Sequence, residues 1–530
     1  MEKKNNPYLP IWFALVMAGS ILLGIFLGNR MGGLNPFKSD RDKLKEVINY
    51  VQDNYVDTMS RKVIEEKAIN GLLEKLDPHS VYISAEDFHS ANDPLLGSFD
   101  GIGVQFRIES DTVTVINPVS GGPSEKLGIR AGDRIVKVDG KNIAGIKIST
   151  NDVMRKLKGP KGTIVKVAIF RRGTAGLVDF SITRDEIPTY SVDIAYMAKP
   201  GIGYIRLNNF SKSTHDEVHN ALQTLLNAGM KKLILDLRGN GGGYLQAAID
   251  VADEFLRKGD LIVYTQGMHH DREVANATAE GLFETGDLVV MVDEGTASAA
   301  EIVSGAIQDH DRGVIVGRRS FGKGLVQEQL DFKDGSALRL TVSRYYTPTG
   351  RCIQKSYKDG LEVYNSDYYH RFMSGELEHP DSIKFPDSLK FKTPKGKTVY
   401  GGGGIMPDIY VPIEKDSSLA YYNLCINKGL IYQYAFDYTD RNRLQMQHFR
   451  KADQFDRGFT VTPSILADFV AYAEKKGVNR QGKDLSLSDL YISTMLKAYI
   501  GRNLLDNAGF YPILNTIDPA FNRAVKELSK

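Results

Sequence analysis

The fold class that this sequence predicts is an α/β layered core carrying a β-rich module, with a helical N-terminal region and a helical C-terminal extension. Three observations predict it. Between Tyr190 and Pro348 apolar strands alternate with amphipathic helices, the pattern of a sheet covered by helices. From Gly97 to about Glu186 short strands are separated by glycine turns. On either side, over residues 40–95 and 417–530, apolar residues recur at helical spacing. The 530 residues suffice for about three or four domains.

Taken in order, residues 1–9 read as a short cytoplasmic tail and residues 10–28 as a transmembrane anchor. "PIWFALVMAGSILLGIFLG", Pro10 to Gly28, holds no charge over 19 residues, close to the roughly 20 that cross a hydrocarbon core. Lys3 and Lys4 precede it, so the positive-inside tendency puts the N-terminus in the cytoplasm and the rest of the chain on the extracytoplasmic, periplasmic side. A cleaved signal peptide is the competing reading, but Gly24 and Gly28 make a poor small-x-small cleavage site.

Residues 40–95 read as a helical N-terminal domain, with Leu44, Val47, Ile48 and Val51 on one helical face and Ala68, Leu72 and Leu73 on another. "LDPHSVYIS", Leu76 to Ser84, ends it as a turn. In residues 97–186, "GIGVQFRIE", "TVTVINPV", "DRIVKVDG" and "GTIVKVAIFRRG" are strand-like, and "NDVMRKLKG" is a short helix. Residues 187–412 form the α/β core. "GIGYIRLNNF", "KKLILDLRG", "DLVVMVDEG", "GVIVG" and "SALRLTVSRYYTP" are its strands, and the second is nearly continuously apolar, as a doubly covered sheet requires. Its helices carry Val218, Ala221, Leu222 and Leu225, then Leu245, Ala248, Ile249 and Ala252, then Ala299, Ile302, Val303, Ala306 and Ile307. Residues 355–400 are tyrosine-rich and aperiodic and read as a surface insertion, after which "YGGGGIMPDIYVP" returns to the sheet.

Lys+Arg number 67 against 65 Asp+Glu, which offers no electrostatic footprint for nucleic acid. Cys352 and Cys425 are too few for a disulfide scaffold or a cysteine-rich metal site; they could pair or remain free thiols.

"GRRSFGKGLVQ", Gly317 to Gln327, contains three half-motifs. Gly317 to Lys323 reads as a phosphate loop, but the next residue is Gly324, where a magnesium-binding hydroxyl is needed. Ser320 to Lys323 reads S-x-x-K, but two glycines in "SFGKG" make a poor helix for it. The third reading makes Lys323 the base of a distant nucleophile. "VVMVDEGTASAAEIVSGAIQD" is strand, turn and helix, with Ser298 at the helix start and N–H groups nearby for an oxyanion. The plain alternative for Ser298 is a helix N-cap, and for Lys323 simple exposure. Burial would favour a neutral lysine. No acid lies within four residues of Lys323, and in a strand Gln327 would share its face.

In their order, "LDPHSVY", "GYIRL", "LDLRGNGGG", "TASAAEI", "GRRSFGKGLVQ", "YYTPTGRCIQ" and "GIMPDI" resemble the carboxyl-terminal processing peptidases, or tail-specific proteases, over roughly residues 40–412. The resemblance implies a crotonase-like core of ββα layers. It makes Ser298 the nucleophile, Lys323 the general base and Gln327 its support. It places the oxyanion hole at the N–H groups of Ala299 and Gly242, although Gly241 stands where the family commonly has proline. Residues 97–186 resemble a PDZ domain. Gly101, Ile102, Gly103 and Val104 would present N–H groups to a peptide C-terminus, and Val153 and Leu157 would line the pocket for its last residue or belong to the core. The implied function is a membrane-anchored serine endopeptidase that captures accessible apolar C-terminal tails, without a metal or organic cofactor, as a homo-oligomer or with an adaptor protein. The alternatives are an inactive peptide-binding scaffold and a hydrolase of small esters or amides.

Overall fold

The computed structural model describes residues 9–30, 43–383, 385–480 and 485–530. Residues 1–75 and 76–530 form two compact units.

The first unit is helical, with helices Leu9–Arg30, Lys43–Asn54 and Arg61–Leu73. Ser60 caps the last, its hydroxyl accepting the Val63 N–H. The stretch expected to be a membrane anchor is helical, but among the described residues no helix is long and apolar enough to cross a membrane. Gly19, Ser20 and Gly24 interrupt its large apolar side chains. The expectations of single-pass anchoring and of an extracytoplasmic catalytic part are overturned with it. The tail expected over residues 1–9 lies, for residues 1–8, outside the described residues.

The second unit is built on a six-stranded sheet. Its strands follow the order Val192–Lys199, Ile202–Leu207, Lys232–Asp236, Asp287–Val292, Val314–Gly317 and Ile409–Tyr410. The first pair is antiparallel and every later pair is parallel. Parallel neighbours need crossovers; helices Thr214–Asn227, Leu245–Asp253 and Ala299–Asp309 supply the first three, and residues 318–408 make the fourth. Leu233 and Leu235 enter the main core with these helices, while Ile234 between them faces the opposite side. That side is closed by Ala520, Phe521, Ala524 and Leu528 of the helix Pro519–Leu528. The continuous apolar strand therefore has two covers, and one comes from the far C-terminus.

A second sheet stands over the main core. Strand Ala337–Tyr346 pairs with Val81–Ile83, Leu261–Gln266 and Leu325–Asp331. The "LDPHSVYIS" stretch is thus a strand at Val81–Ile83 as well as a turn. Its backbone is recruited by a partner more than 250 residues away, which local pattern does not reveal.

The β-rich module is a sheet of strands Val104–Glu109, Thr112–Pro118, Arg134–Val138, Ile164–Phe170 and Leu177–Thr183, with the short strand Lys141–Asn142 at its side. Helix Thr150–Leu157 packs on it, capped by the Ser149 hydroxyl at Asp152 N–H, 3.1 Å. The module's two ends are tied by pairing of Ser98–Gly101 with Asp185–Pro188.

The helices after Ala420 form their own core around Phe455, Phe469, Ile492 and Leu496. They also reach the rest of the unit. Tyr511 donates to Asp193 at 3.0 Å, Asp518 pairs with Arg238 at 2.7 Å, and the Arg107 guanidinium of the β-rich module lies 3.9 Å from the Tyr432 ring centroid. Residues 355–400 hold helices Leu361–Asn365 and Asp367–Met373 and the hairpin Lys390–Lys392 with Thr398–Tyr400.

Candidate active site

Ser298 ends the turn between strand Asp287–Val292 and helix Ala299–Asp309. Its φ of 54° and ψ of −116° place a non-glycine residue in strained backbone. Surrounding bonds hold it there. Ala297 N–H donates to Asn240 O at 2.9 Å, Thr296 Oγ1 donates to Leu237 O at 2.9 Å, and Ser298 N–H donates to Glu301 Oε2 at 2.9 Å. The result is a sharp strand-to-helix turn that exposes a hydroxyl, reached without the G-x-S-x-G signature.

Glu301 organises the site from beneath. It is fully buried. Oε2 accepts the N–H groups of Ser298 and of Lys323, the latter at 2.8 Å. Oε1 accepts the Gly322 N–H at 2.7 Å and the Ser320 hydroxyl. Burial pushes its carboxyl above the ordinary pKa, and the donated bonds pull it back. Ser320, set aside as nucleophile in favour of Ser298, joins this buttress, because its Oγ also accepts the Ile405 N–H at 2.6 Å. A second clamp is Tyr345, 1% exposed, whose hydroxyl lies 3.1 Å from Ser298 O and 2.8 Å from Lys323 O.

Lys323 precedes the strand Leu325–Asp331 and is not part of it. The pairing register shifts between Val326 and Gln327, so the even spacing to Gln327 does not by itself set a common face. Both residues nevertheless line one cavity of about 750 Å³, together with Ser298, Ala299 and Gly241 to Gly243. Burial, then the charge of Arg339, lowers the Lys323 pKa from its ordinary value. Glu301 and Asp77 act in the other direction. The sequence neighbourhood of Lys323 is free of acids, but folding brings these two near. Gln327 Nε2 donates to Thr341 Oγ1 at 3.2 Å, which in turn donates to Asp77 Oδ1 at 2.9 Å. Among the described residues, no hydrogen bond joins Ser298 Oγ to Lys323 Nζ.

The glycine run abuts the nucleophile turn. A Cβ on Gly242, which has φ +95°, would stand 2.7 Å from Ser298 Cβ and 2.9 Å from Ala299 N. Only glycine fits there. Gly242 N–H donates to Asn240 Oδ1 at 2.9 Å.

Sequence reasoning missed several neighbours. His79, from "LDPHSVY", lines the same cavity and bonds Tyr364 Oη at 2.8 Å through Nε2. Burial first, then the Lys323 charge, lowers its pKa to about 4. Its motif was the only available signal. Glu301 and Tyr345 likewise stand in quoted motifs, "TASAAEI" and "YYTPTGRCIQ", but nothing local gave their roles, which depend on distant backbone; Thr341 had no signal. Arg371, from the segment 355–400, is 3% exposed and donates to the carbonyls of Arg319 and Ser320, so that segment supports the Lys323 loop from behind.

A second cavity of about 500 Å³ lies between the β-rich module, the helix Phe88–Leu96 and the core residues Asn208 and Asn209. Ile102, Gly103, Val104 and Leu157 line it, with Phe106 and Met154. Of the two residues read as pocket lining or core, Val153 is core only, fully buried, while Leu157 belongs to that core at 4% exposed and also lines the cavity. Gly101, expected in the groove, pairs with Asp185 at the base of the module.

The chain matches peptidase family S41 over residues 201–362, a PDZ domain over residues 101–182 and a family of unknown function over residues 421–506. It is 37% identical over 313 residues to the carboxy-terminal-processing protease of Bartonella bacilliformis, covering 58% of this chain and 71% of that protein. It is 34% identical over 361 residues to the carboxy-terminal processing protease CtpA of Bacillus subtilis, covering 67% of this chain and 76% of that protein. Among solved structures it is similar to a photosystem II D1 C-terminal processing protease, with 29% identity and a TM-score of 0.38 over 71% of this chain and 87% of that one. With two such relatives covered over more than two thirds of their length, the chain belongs to peptidase family S41, as a C-terminal processing serine protease carrying a PDZ domain.

Proposed function

We propose that this protease cleaves peptide bonds with Ser298 as nucleophile, Lys323 as general base and Gln327 as the lysine's support. The observation that carries the reading is the shared carboxylate: Glu301 Oε2 accepts the backbone N–H of both Ser298 and Lys323, so both side chains start from one anchored edge of one cavity. The lowered pKa of Lys323 favours the neutral amine that a base requires. Layering in the crotonase manner belongs to the same proposal, supported by the six-stranded sheet, its crossover helices and the second sheet.

Neutral Lys323 takes the Ser298 proton while Oγ bonds to the scissile carbonyl carbon. The oxyanion is held by the N–H groups of Ala299 and Gly242, the latter exchanging its bond to Asn240. Collapse breaks the C–N bond, and the Lys323 ammonium gives its proton to the leaving amine. Lys323, neutral again, deprotonates a water that attacks the ester carbonyl, and returns that proton to Oγ as the C–O bond breaks and Ser298 is freed. Substrates are proteins with accessible apolar C-terminal tails. The groove at Ile102 to Val104 receives the tail as an added strand, with its terminal carboxylate on backbone N–H groups and its last side chain against Leu157 and Met154.

The test is Ser298→Ala against a protein bearing an apolar tail. Cleavage falls to background while the tail still binds. Substantial residual cleavage rejects Ser298, and a wild-type protein that binds tails without cutting them leaves only the scaffold reading.

A further inference from the structure

The first turns of helix Thr214–Asn227 carry His215, Asp216, Glu217, Val218 and His219 after Thr214. Residues four apart stand above one another on a helix, and the two imidazole centroids are 5.8 Å apart. Facing them is Glu254, at the end of helix Leu245–Asp253 and 2% exposed. Its Oε1 lies 3.0 Å from His215 Nε2 and 2.7 Å from His219 Nδ1. Its Oε2 accepts the Leu282 N–H at 2.9 Å. One ligand atom from each of the three side chains lies within 4.8 Å of the others.

We propose that His215, His219 and Glu254 bind one divalent transition cation, with Zn²⁺ the best match. Two imidazole nitrogens and a carboxylate oxygen are the donor set of such borderline cations. Ligand atoms around tetrahedral zinc stand about 3.3 Å apart, given bonds of about 2.0–2.1 Å, so the two carboxylate–imidazole spacings of 3.0 and 2.7 Å need to open by about 0.3 and 0.6 Å, and the two imidazole nitrogens lie within 4.8 Å of each other. The Leu282 N–H orients the carboxylate from behind, as outer partners of metal ligands commonly do. A buried carboxylate also requires compensation. Among the described residues the ion-pair partners of Glu254 are these two histidines, neither of them a fixed charge. Both histidine side chains are about two-fifths exposed, at 39% and 41%, which leaves a path for entry and for water as the remaining ligand.

The site differs from a metalloprotease centre. The residue after His215 is the exposed Asp216, and Glu217 is occupied with the N–H groups of Ser191 and Val192. None of the three ligands lines the cavity at Ser298. The cation instead clamps the first turns of one crossover helix to the end of the next. The other end of that second helix, at Leu245, follows the glycine run and does line the catalytic cavity. Its role is to hold this helix, and serine chemistry proceeds without it.

The experiment is a Zn²⁺ titration of the full chain after chelator treatment, by calorimetry, with the thermal unfolding transition measured in parallel. One Zn²⁺ per chain and a raised transition are expected. His215→Gln together with His219→Gln, both at partly exposed positions, should weaken binding at least about tenfold and leave the circular dichroism of the cation-free protein unchanged. Co²⁺ should develop visible absorption bands in the wild type and not in the double variant. Absence of stoichiometric binding in the wild type, or equal binding in the double variant, overturns the site. Ser298→Ala should bind Zn²⁺ like the wild type, so this proposal and the assignment of the nucleophile fail independently.

Discussion

One oxygen of Glu301 holds the backbone of Lys323 at 2.8 Å while it also holds that of Ser298 at 2.9 Å. Two residues 25 positions apart are thereby fastened to the same buried atom. Glu301→Gln replaces one of two acceptor oxygens with an NH₂ group that faces N–H donors. An unsatisfied buried donor costs about 1–3 kcal/mol. The variant should lose that order of stability in a denaturant titration and at least about tenfold in kcat, the two reacting groups no longer being held in register. Full activity would remove Glu301 from the positioning of the site.

The rate should rise with pH as Lys323 loses its proton. Its pKa lies below the ordinary 10.5, chiefly through burial and next through the charge of Arg339. Removing that charge with Arg339→Gln should raise the pKa and move the kcat/KM profile to higher pH. Lys323→Arg should be inactive, because a guanidinium does not act as a neutral base at these pH values. An unchanged profile in Arg339→Gln would separate the observed titration from Lys323.

Gly242→Ala tests the glycine run. The added Cβ would meet Ser298 Cβ at 2.7 Å in a backbone of φ +95°. A fall in kcat of about 10²- to 10³-fold is expected, the size of losing one oxyanion donor, with tail binding to the PDZ groove preserved. Steady-state kinetics with a peptide-binding assay separates the two effects.

Leu157 reaches the groove that Val153 does not. Leu157, 4% exposed and shared between core and groove, is tested by Leu157→Ala, which should raise KM for apolar-tailed substrates by at least about tenfold while the circular dichroism is kept and cleavage of a short peptide placed directly in the catalytic cavity is unchanged. Loss of one buried leucine contact is worth about 1.5–3 kcal/mol. Equal losses on both substrates would make Leu157 a folding residue only.

His79 supplies an acid-side prediction. Its folded pKa of about 4 lies below its ordinary 6.5, so between these values the unfolded chain binds more protons. Stability therefore falls as pH drops from 6.5 to 4, by no more than about 3 kcal/mol. His79→Gln should flatten that part of the stability curve, as measured by denaturant midpoints at several pH values.

The α/β alternation, the glycine-turned module and the order of motifs were legible because helix and strand periods and turn residues are local properties. So was the apolar double cover of "KKLILDLRG", though not that Phe521 would supply half of it. Lys323 and Gln327 reached one cavity by a route the strand argument did not foresee, since a register shift intervenes at Val326. The N-terminal apolar run misled in the other direction. Its helix is present, yet among the described residues none meets the length and apolarity of a membrane span.

By itself, the sequence determined which residue types could do chemistry and in what order along the chain they stand: a serine at a helix start, a lysine among apolar neighbours, a glycine run and a groove-forming module. Only the tertiary structure decided which of them meet. The strain at Ser298, the shared carboxylate of Glu301, the approach of His79 and Asp77 to Lys323, and the convergence of His215, His219 and Glu254 all arise from segments brought together by sheet pairing and helix packing. Hydrogen bonds and desolvation act through distances in space, and distance along the chain does not encode them.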